Sequence, residues 1–322
     1  MADLRWGLIG CGDISRKRAA PALRDAPGST LAAVSRKRPE LARAFADEFG
    51  AARVHADWRE LVTDPDIDAV YVATPLAPHA EQTIAAAQAG KHVLCEKPMA
   101  MDVASCDRMI AAAQANGVKL GVAYYRRFYP VLVRVKQLIE SGELGVPLMA
   151  SLQAFERFDT VPGQSAPWRL VKAQAGGGPM MDFGSHRLEM LVSLFGEVES
   201  VTGWSDKLLF PEREVEDSAG ASLRHKRGVR AELLISHAAK EPRDVVDIYL
   251  SEGSLHIGVL NTGELRVVSA EGTRLGSLPP HANLHQPLVE DFVKAIQEHR
   301  EPGVTGKDGR EIQRLLTEVY AA

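Results

Sequence analysis

The chain has 322 residues, 45% of them hydrophobic and 25% charged, with a formal net charge of −4. That is an ordinary globular mixture, enough for a normal core, and its length suits two domains. The charge balance excludes a general affinity for nucleic acid or an anionic membrane surface, and no apolar run reaches the ~20 residues of a membrane helix.

Residues 4–9 predict a buried strand that runs into Gly10-Cys11-Gly12, and residues 15–24 predict a helix. Gly10 permits a sharp turn, and Gly12 has no side chain to hold phosphates away. The N–H groups that open the helix, where Asp13 and Ile14 stand, face an anion. Ser15 takes the place of the third glycine of a dinucleotide fingerprint and is small enough for close helix–strand packing. Residues 30–34 form the next strand, followed by helices at 39–49 and 58–62. A strand at 68–74 precedes an alanine-rich helix at 77–89 closed by Gly90. Then come a strand at 92–95, a helix at 103–115 stopped by Asn116-Gly117, and a strand at 118–123. This βαβ alternation predicts a parallel sheet covered on both faces, with its ligand at the carboxyl ends of the strands.

After Tyr124 the pattern changes. A helix at 131–140 and a strand at 147–155 lead into a loop-like stretch, 158–178, and then a helix from about 179 to 195. Strands follow at 199–205, 218–224, 229–237, 245–250, 254–260, 265–270 and 273–277. Val229, Ala231 and Leu233 alternate with Arg230 and Glu232. That alternation predicts an antiparallel sheet with one wet and one dry face, or with one face against another subunit. Helices at 288–299 and 310–320 end the chain, the second with capping-box spacing at Asp308 and Glu311. The expected fold class is α/β. A Rossmann-type doubly wound parallel sheet over 1–123 precedes an α/β domain over 124–322 with a large, mostly antiparallel open sheet. The last helices could pack back on the first domain. Cys11, Cys95 and Cys106 form no CxxC pair, and residues 1–5 lead directly into a strand. A reduced, cytoplasmic protein without a signal peptide is expected.

Three strand ends carry chemistry. The second strand ends in Ser35-Arg36-Lys37-Arg38, with no acid until Glu40. An acid there would take the ribose hydroxyls of NAD, whereas donors and cations at Ser35, Arg36 and Arg38 suit a 2′-phosphate. NADP is therefore expected rather than NAD; the plain alternative is a solvated basic turn. Ala73-Thr74-Pro75-Leu76-Ala77-Pro78-His79 places Thr74, Pro75 and His79 beside the first turn, where His79 alone reads as a surface or packing histidine. Glu96-Lys97-Pro98 again follows a strand, so Lys97 points to the ligand edge unless it makes a loop salt bridge.

These segments resemble the glucose–fructose oxidoreductase/inositol dehydrogenase (Gfo/Idh/MocA) family. So do Ala89 to Pro98, the run from Gly176 through Asp182 to His186, and the ending from Pro302 to Gly309. The resemblance covers nearly the whole chain. It implies a nicotinamide-dependent oxidoreductase of a sugar, polyol or sugar acid, with Lys97, Asp182 and His186 as the catalytic residues. It also implies a homodimer or homotetramer joined through the second domain's sheet. Glu96, Lys97, Trp168 and Arg169 would lie along the cofactor, and Tyr125, Arg127 and His285 along the substrate. His285 stands where many relatives have a Tyr.

Those residue types suit the chemistry. Oxidising an alcohol removes a hydride and a proton. An imidazole such as His186 takes the proton near neutrality. Asp182, one helical turn earlier, could orient that ring or hold a substrate hydroxyl. Lys97 could stabilise an alkoxide, polarise a carbonyl in the reverse direction or relay a proton. Asp182 and His186 could equally be a cap and a packing residue. Together with Glu189 they also have a spacing able to hold zinc, but no cysteine or second histidine lies near in sequence, and no metal is expected. Arg126, Arg127, Arg157 and Arg169 leave room for an acidic substrate. His55, His225, His237 and His256 read as surface residues of strands and loops. A trans-dihydrodiol dehydrogenase and a non-catalytic NADP-sensing regulator are the alternative functions.

Overall fold

The computed structural model describes residues 3–160 and 167–321. The chain divides into two compact units, Met1–Tyr125 with His281–Gln313, and Arg126–Pro280 with Arg314–Ala322.

The first unit holds six parallel strands: β1 (Leu4–Ile9), β2 (Ser29–Ser35), β3 (Arg53–His55), β4 (Ala69–Val72), β5 (His92–Cys95) and β6 (Leu120–Val122). Their order is β3-β2-β1-β4-β5-β6. The sheet register aligns Ile9 with Ser35 and Val72, Val72 with Cys95, and Cys95 with Val122. Five strands therefore end at one level, and the loops starting at Gly10, Arg36, Ala73, Glu96 and Ala123 leave from a single edge. Helices α1 (Ala20–Asp25), α2 (Pro39–Phe49), α3 (Trp58–Thr63), α4 (His79–Gln88) and α5 (Val103–Ala115) connect the strands. The core is closed by buried Trp6, Leu8, Val34, Val70, Tyr71 and Leu94. Sequence reading missed β3, which has three half-buried residues and is too short to show a period.

The second unit opens with α6 (Pro130–Ser141), β7 (Pro147–Phe155), α7 (Lys172–Ala175) and α8 (Ser185–Phe195). Seven strands follow: β8 (Val198–Asp206), β9 (Ser218–His225), β10 (Arg230–Ser236), β11 (Arg243–Leu250), β12 (Gly253–Ile257), β13 (Glu264–Ser269) and β14 (Gly272–Ser277). The sheet order is β14-β13-β12-β11-β7-β10-β9-β8. The β7–β10 pair is parallel and the other pairs are antiparallel, so the sheet is mostly antiparallel, as expected. One face is dry, with Leu152, Leu233, Ile235, Leu223 and Ile248 buried. The other leaves Trp204, Leu234, Tyr249 and Leu275 exposed. The indole of Trp204 lies over Gly220, where a Cβ would fall 2.4 Å from its Nε1.

Helix α9 (Gln286–Gln297) belongs to the first unit, where Phe292 packs on Trp6 at 5.6 Å between ring centroids. Helix α10 (Gly306–Tyr320) starts a turn earlier than the capping box at Asp308 and Glu311 predicted. The observed box is Thr305 with Asp308, each side chain bonded to the other's backbone N–H at 3.2 and 2.8 Å.

Two predicted helices are interrupted. Residues 15–24 begin as a π-helical turn, Ser15–Ala19, before α1, and residues 179–195 begin as another, Met180–Gly184, before α8. The predicted loop at 158–178 contains a 3₁₀ turn at Trp168–Leu170 and the short α7, while 161–166 lie outside the described residues.

Candidate functional site

The glycine turn has the shape a dinucleotide requires. Gly10 adopts φ +95° and donates its N–H to the Ser35 carbonyl at 3.0 Å. A Cβ there would fall 2.7 Å from the Ala73 carbonyl oxygen, whereas one on Gly12 would meet no protein atom within 4 Å. The turn is thus packed on its inner side and open at Gly12. Buried Ser15 ties the two sides together, its hydroxyl donating to the Gly10 carbonyl at 2.5 Å. Asp13 is exposed and pairs with Lys17, and Ile14 is half-buried in the helix opening.

Arg36 is half-buried, and its Nη1 donates to the Cys11 carbonyl at 3.1 Å. That bond holds a guanidinium beside the glycine turn, whereas Lys37 and Arg38 are exposed. Thr74 and Pro75 are half-buried, and the Thr74 hydroxyl donates to Gln82 at 2.8 Å. His79 is buried. Its ring nitrogens lie 3.0 Å from the Thr74 carbonyl oxygen and 3.1 Å from that of Pro98. It thereby links the loop after β4 to the loop that carries Lys97. Burial holds its pKa below the usual imidazole range, against the pull of those carbonyls.

Lys97, half-buried, follows a buried carboxyl that is itself anchored. Glu96 accepts the Tyr71 hydroxyl at 2.8 Å through one oxygen and the Lys97 N–H at 3.2 Å through the other. Burial pushes Glu96 upward, and the Lys97 charge opposes this. His285 Nδ1 lies 3.1 Å from the Tyr71 oxygen. With Glu96 ionised, the phenol proton is committed to the carboxylate, so His285 Nδ1–H donates to the phenol. Burial, reinforced by the charges of Arg18 and Lys97, lowers the His285 pKa to about 3 and keeps its ring neutral. Its Nε2 is buried and has no partner among the described residues. The ring packs, tilted by 38°, at 4.7 Å from that of Tyr125, whose hydroxyl accepts from Arg18 at 2.8 Å. Sequence reading found Glu96, Lys97, Tyr125 and His285 but missed Tyr71 and Arg18. Tyr71 did carry a signal, as a phenol inside an otherwise apolar strand.

In the second unit, half-buried Asp182 lies in the π-helical turn and buried His186 in the first turn of α8. Arg169 Nε is 3.6 Å from the Asp182 carboxylate, and its guanidinium sits 5.7 Å from the ring of exposed Trp168. The predicted arginines have protein partners. Arg127 Nε donates to buried Glu189 at 2.6 Å, which commits one carboxylate of the possible zinc spacing to an ion pair. Arg126 reaches Asn261, and Arg157 reaches Asp159 and the Ala238 carbonyl. Among the described residues, no group of three His, Cys, Asp or Glu could hold a metal ion.

Two histidines correct the sequence reading. His225 and His237 are buried rather than on the surface. His237 is wedged against Phe183 and Phe158 at 4.9 and 5.3 Å. Burial lowers its pKa to about 4 despite the nearby Asp182 charge. The period-2 pattern held the signal, since Leu233, Ile235 and His237 share one face, as do Leu223 and His225.

Both halves of the chain have known relatives. Residues 4–124 match the oxidoreductase family domain described as an NAD-binding Rossmann fold, and residues 132–256 match the GFO/IDH/MocA C-terminal domain. The chain is 34% identical to a 1,5-anhydro-D-fructose reductase of Ensifer adhaerens, over 95% of this chain and 92% of that one. It is 28% identical to a myo-inositol 2-dehydrogenase of Thermotoga maritima, over 95% and 92%. Among solved structures, a levoglucosan dehydrogenase in complex with NADH and levoglucosan aligns with TM-score 0.89 and 27% identity, over 98% of this chain and 96% of that one. An open glycine turn at a level strand edge, the anchored Lys97 and matches along both domains lead to one conclusion: the chain belongs to the GFO/IDH/MocA family of nicotinamide-dependent oxidoreductases.

Proposed function

We propose that this protein is an NADP-dependent enzyme that oxidises or reduces one CH–OH or carbonyl centre of a sugar, polyol or sugar acid. The observation that carries the reading is the pairing of an open glycine turn with a lysine at the same sheet edge, whose backbone N–H is held by Glu96, itself bonded to Tyr71 and through it to His285. The nicotinamide supplies the hydride chemistry. Gly10, Gly12, Asp13 and Ile14 would hold its pyrophosphate, while Ser35, Arg36 and Arg38 would meet a 2′-phosphate. Thr74, Pro75, His79, Glu96, Trp168 and Arg169 would complete the cofactor's surroundings.

His186 acts as the general base that removes the hydroxyl proton, and as the acid in reverse. Asp182 orients that imidazole or binds a neighbouring hydroxyl. The Lys97 ammonium stabilises the alkoxide that forms. Tyr125, Arg127 and His285 contact the substrate, and the unpartnered Nε2 of His285 supports that placement. The enzyme names of the relatives, which act on anhydrofructose, inositol and levoglucosan, support a polyhydroxylated substrate.

We further propose a homodimer or homotetramer joined through the sheet face bearing Trp204, Leu234, Tyr249 and Leu275, since these large apolar side chains all stand exposed on that one face. The three buried free cysteines support a cytoplasmic setting.

Oxidation and reduction should be screened with NADP(H) and NAD(H) against sugars, inositols, sugar acids and diols. Turnover of a sugar or polyol with a preference for NADP(H) is expected. Cofactor binding without turnover across the panel would leave the sensing regulator in its place. A mass of one chain in size-exclusion light scattering would remove the oligomer.

A further inference from the structure

Asp182 and His186 sit on a helix opening that two distant side chains hold in place. Buried Glu216 accepts the Gly178 N–H at 2.7 Å with Oε2 and the Met180 N–H at 3.2 Å with Oε1. The Tyr320 hydroxyl donates to Glu216 Oε1 at 2.6 Å and accepts the Met181 N–H at 3.1 Å. Pro179 has no N–H, and the Asp182 N–H goes to the Gly178 carbonyl at 2.9 Å. Every backbone donor from 178 to 182 is thus assigned, three of them to this carboxylate and phenol.

The glycines before Asp182 follow from the same contact. A Cβ on Gly177 would fall 2.3 Å from the Tyr320 oxygen, and one on Gly178 would fall 2.1 Å from the Glu216 carbonyl. A helix opening normally leaves such donors to water or a local cap. Here they meet the last turn of the chain's final helix and the strand-connecting segment before β9. Met181, the residue immediately before Asp182, hangs directly from Tyr320.

We infer that Glu216 and Tyr320 are positioning residues that fix the Asp182–His186 segment in its reactive geometry. This rests on the catalytic assignment proposed above. Displacing that segment by a fraction of an ångström lowers the rate of the reacting arrangement more than it weakens binding.

Tyr320→Phe deletes one oxygen and keeps the ring; Glu216→Gln keeps the shape and loses the charge. Both are assayed beside Asp182→Asn and His186→Ala, using the panel of myo-inositol, levoglucosan, D-glucose and 1,5-anhydro-D-fructose. Tyr320→Phe should lower kcat about tenfold, with KM within threefold and cofactor Kd within twofold of wild type. In the His186→Ala background the same change should cost less than threefold, because the group it positions is already gone. A tenfold loss in both backgrounds would mean general scaffolding and overturn the inference. So would a Tyr320→Phe kcat within twofold of wild type.

Amide exchange reads the geometry without turnover. Exchange at 178–182 should speed about tenfold in Tyr320→Phe, and unchanged exchange there would also overturn the inference. Near-normal turnover of both Asp182→Asn and His186→Ala would instead sink the catalytic assignment, an outcome distinct from the failure of the clip.

Discussion

The two glycine-led helix openings, at Gly10–Ala19 and at Gly176–Gly184, use one backbone device for opposite ends. Each runs from glycine through a π-helical turn into an α-helix. At the first, no side-chain oxygen among the described residues accepts the N–H of Gly12, Asp13, Ile14 or Ser15, and the space over Gly12 is open. At the second, Glu216 and Tyr320 take the donors. A helix opening attracts negative charge in either case. On the proposed reading, the open one receives a cofactor that must come and go, and the one filled by the protein's own carboxylate mounts side chains that must not move.

The largest effects should separate the two openings cleanly. His186→Ala, on the filled one, should lower kcat by about 10²–10⁴-fold, as should Lys97→Ala, with cofactor Kd in fluorescence titration nearly unchanged. Loss of cofactor binding in His186→Ala would break the division of labour. Next come two glycine replacements with mirrored outcomes. Gly12→Val meets no protein atom near its Cβ, so the melting temperature should hold while cofactor affinity falls at least about tenfold. Gly178→Ala drives a Cβ into the Glu216 backbone and should cost about 1–3 kcal/mol in urea unfolding.

A smaller effect concerns selectivity at the open end. Arg36→Ala should narrow the preference for NADPH over NADH by about tenfold, or ~1.4 kcal/mol. Equal wild-type affinities would end the NADP proposal. Acid should weaken the fold as well. His285 and His237 are held neutral, with pKa values of about 3 and about 4, below the unfolded value. The unfolded chain then binds the extra protons, so stability falls as pH drops below ~6.5, by at most about 1.4 kcal/mol per pH unit for each histidine. His285→Gln should flatten the urea-midpoint profile between pH 6.5 and 4.

How much of this was legible follows from distance along the chain. The strand–turn–helix at Gly10 and the loops with Arg36 and Lys97 are local patterns, and the hydrophobic period locates them. The partners of the segment leading to Asp182 are not local. Glu216 lies 38 residues from Gly178, and Tyr320 lies 139 from Met181. No spacing rule reaches that far. The π-helical turns were invisible for another reason, since a single widened turn leaves the 3.6-residue period nearly intact. His237 was legible but misread, because polarity was given more weight than its place on the dry face.

The level edge of the first sheet makes the loops separable. Because Ile9, Ser35, Val72, Cys95 and Val122 end in step, each connection can change length or charge without tilting its neighbours. The Arg36 loop leaves three strands away from the Lys97 loop. If the loop at Arg36 sets the choice of dinucleotide as proposed, rewriting Arg36, Lys37 and Arg38 should exchange one for the other, leaving the lysine and its anchors untouched.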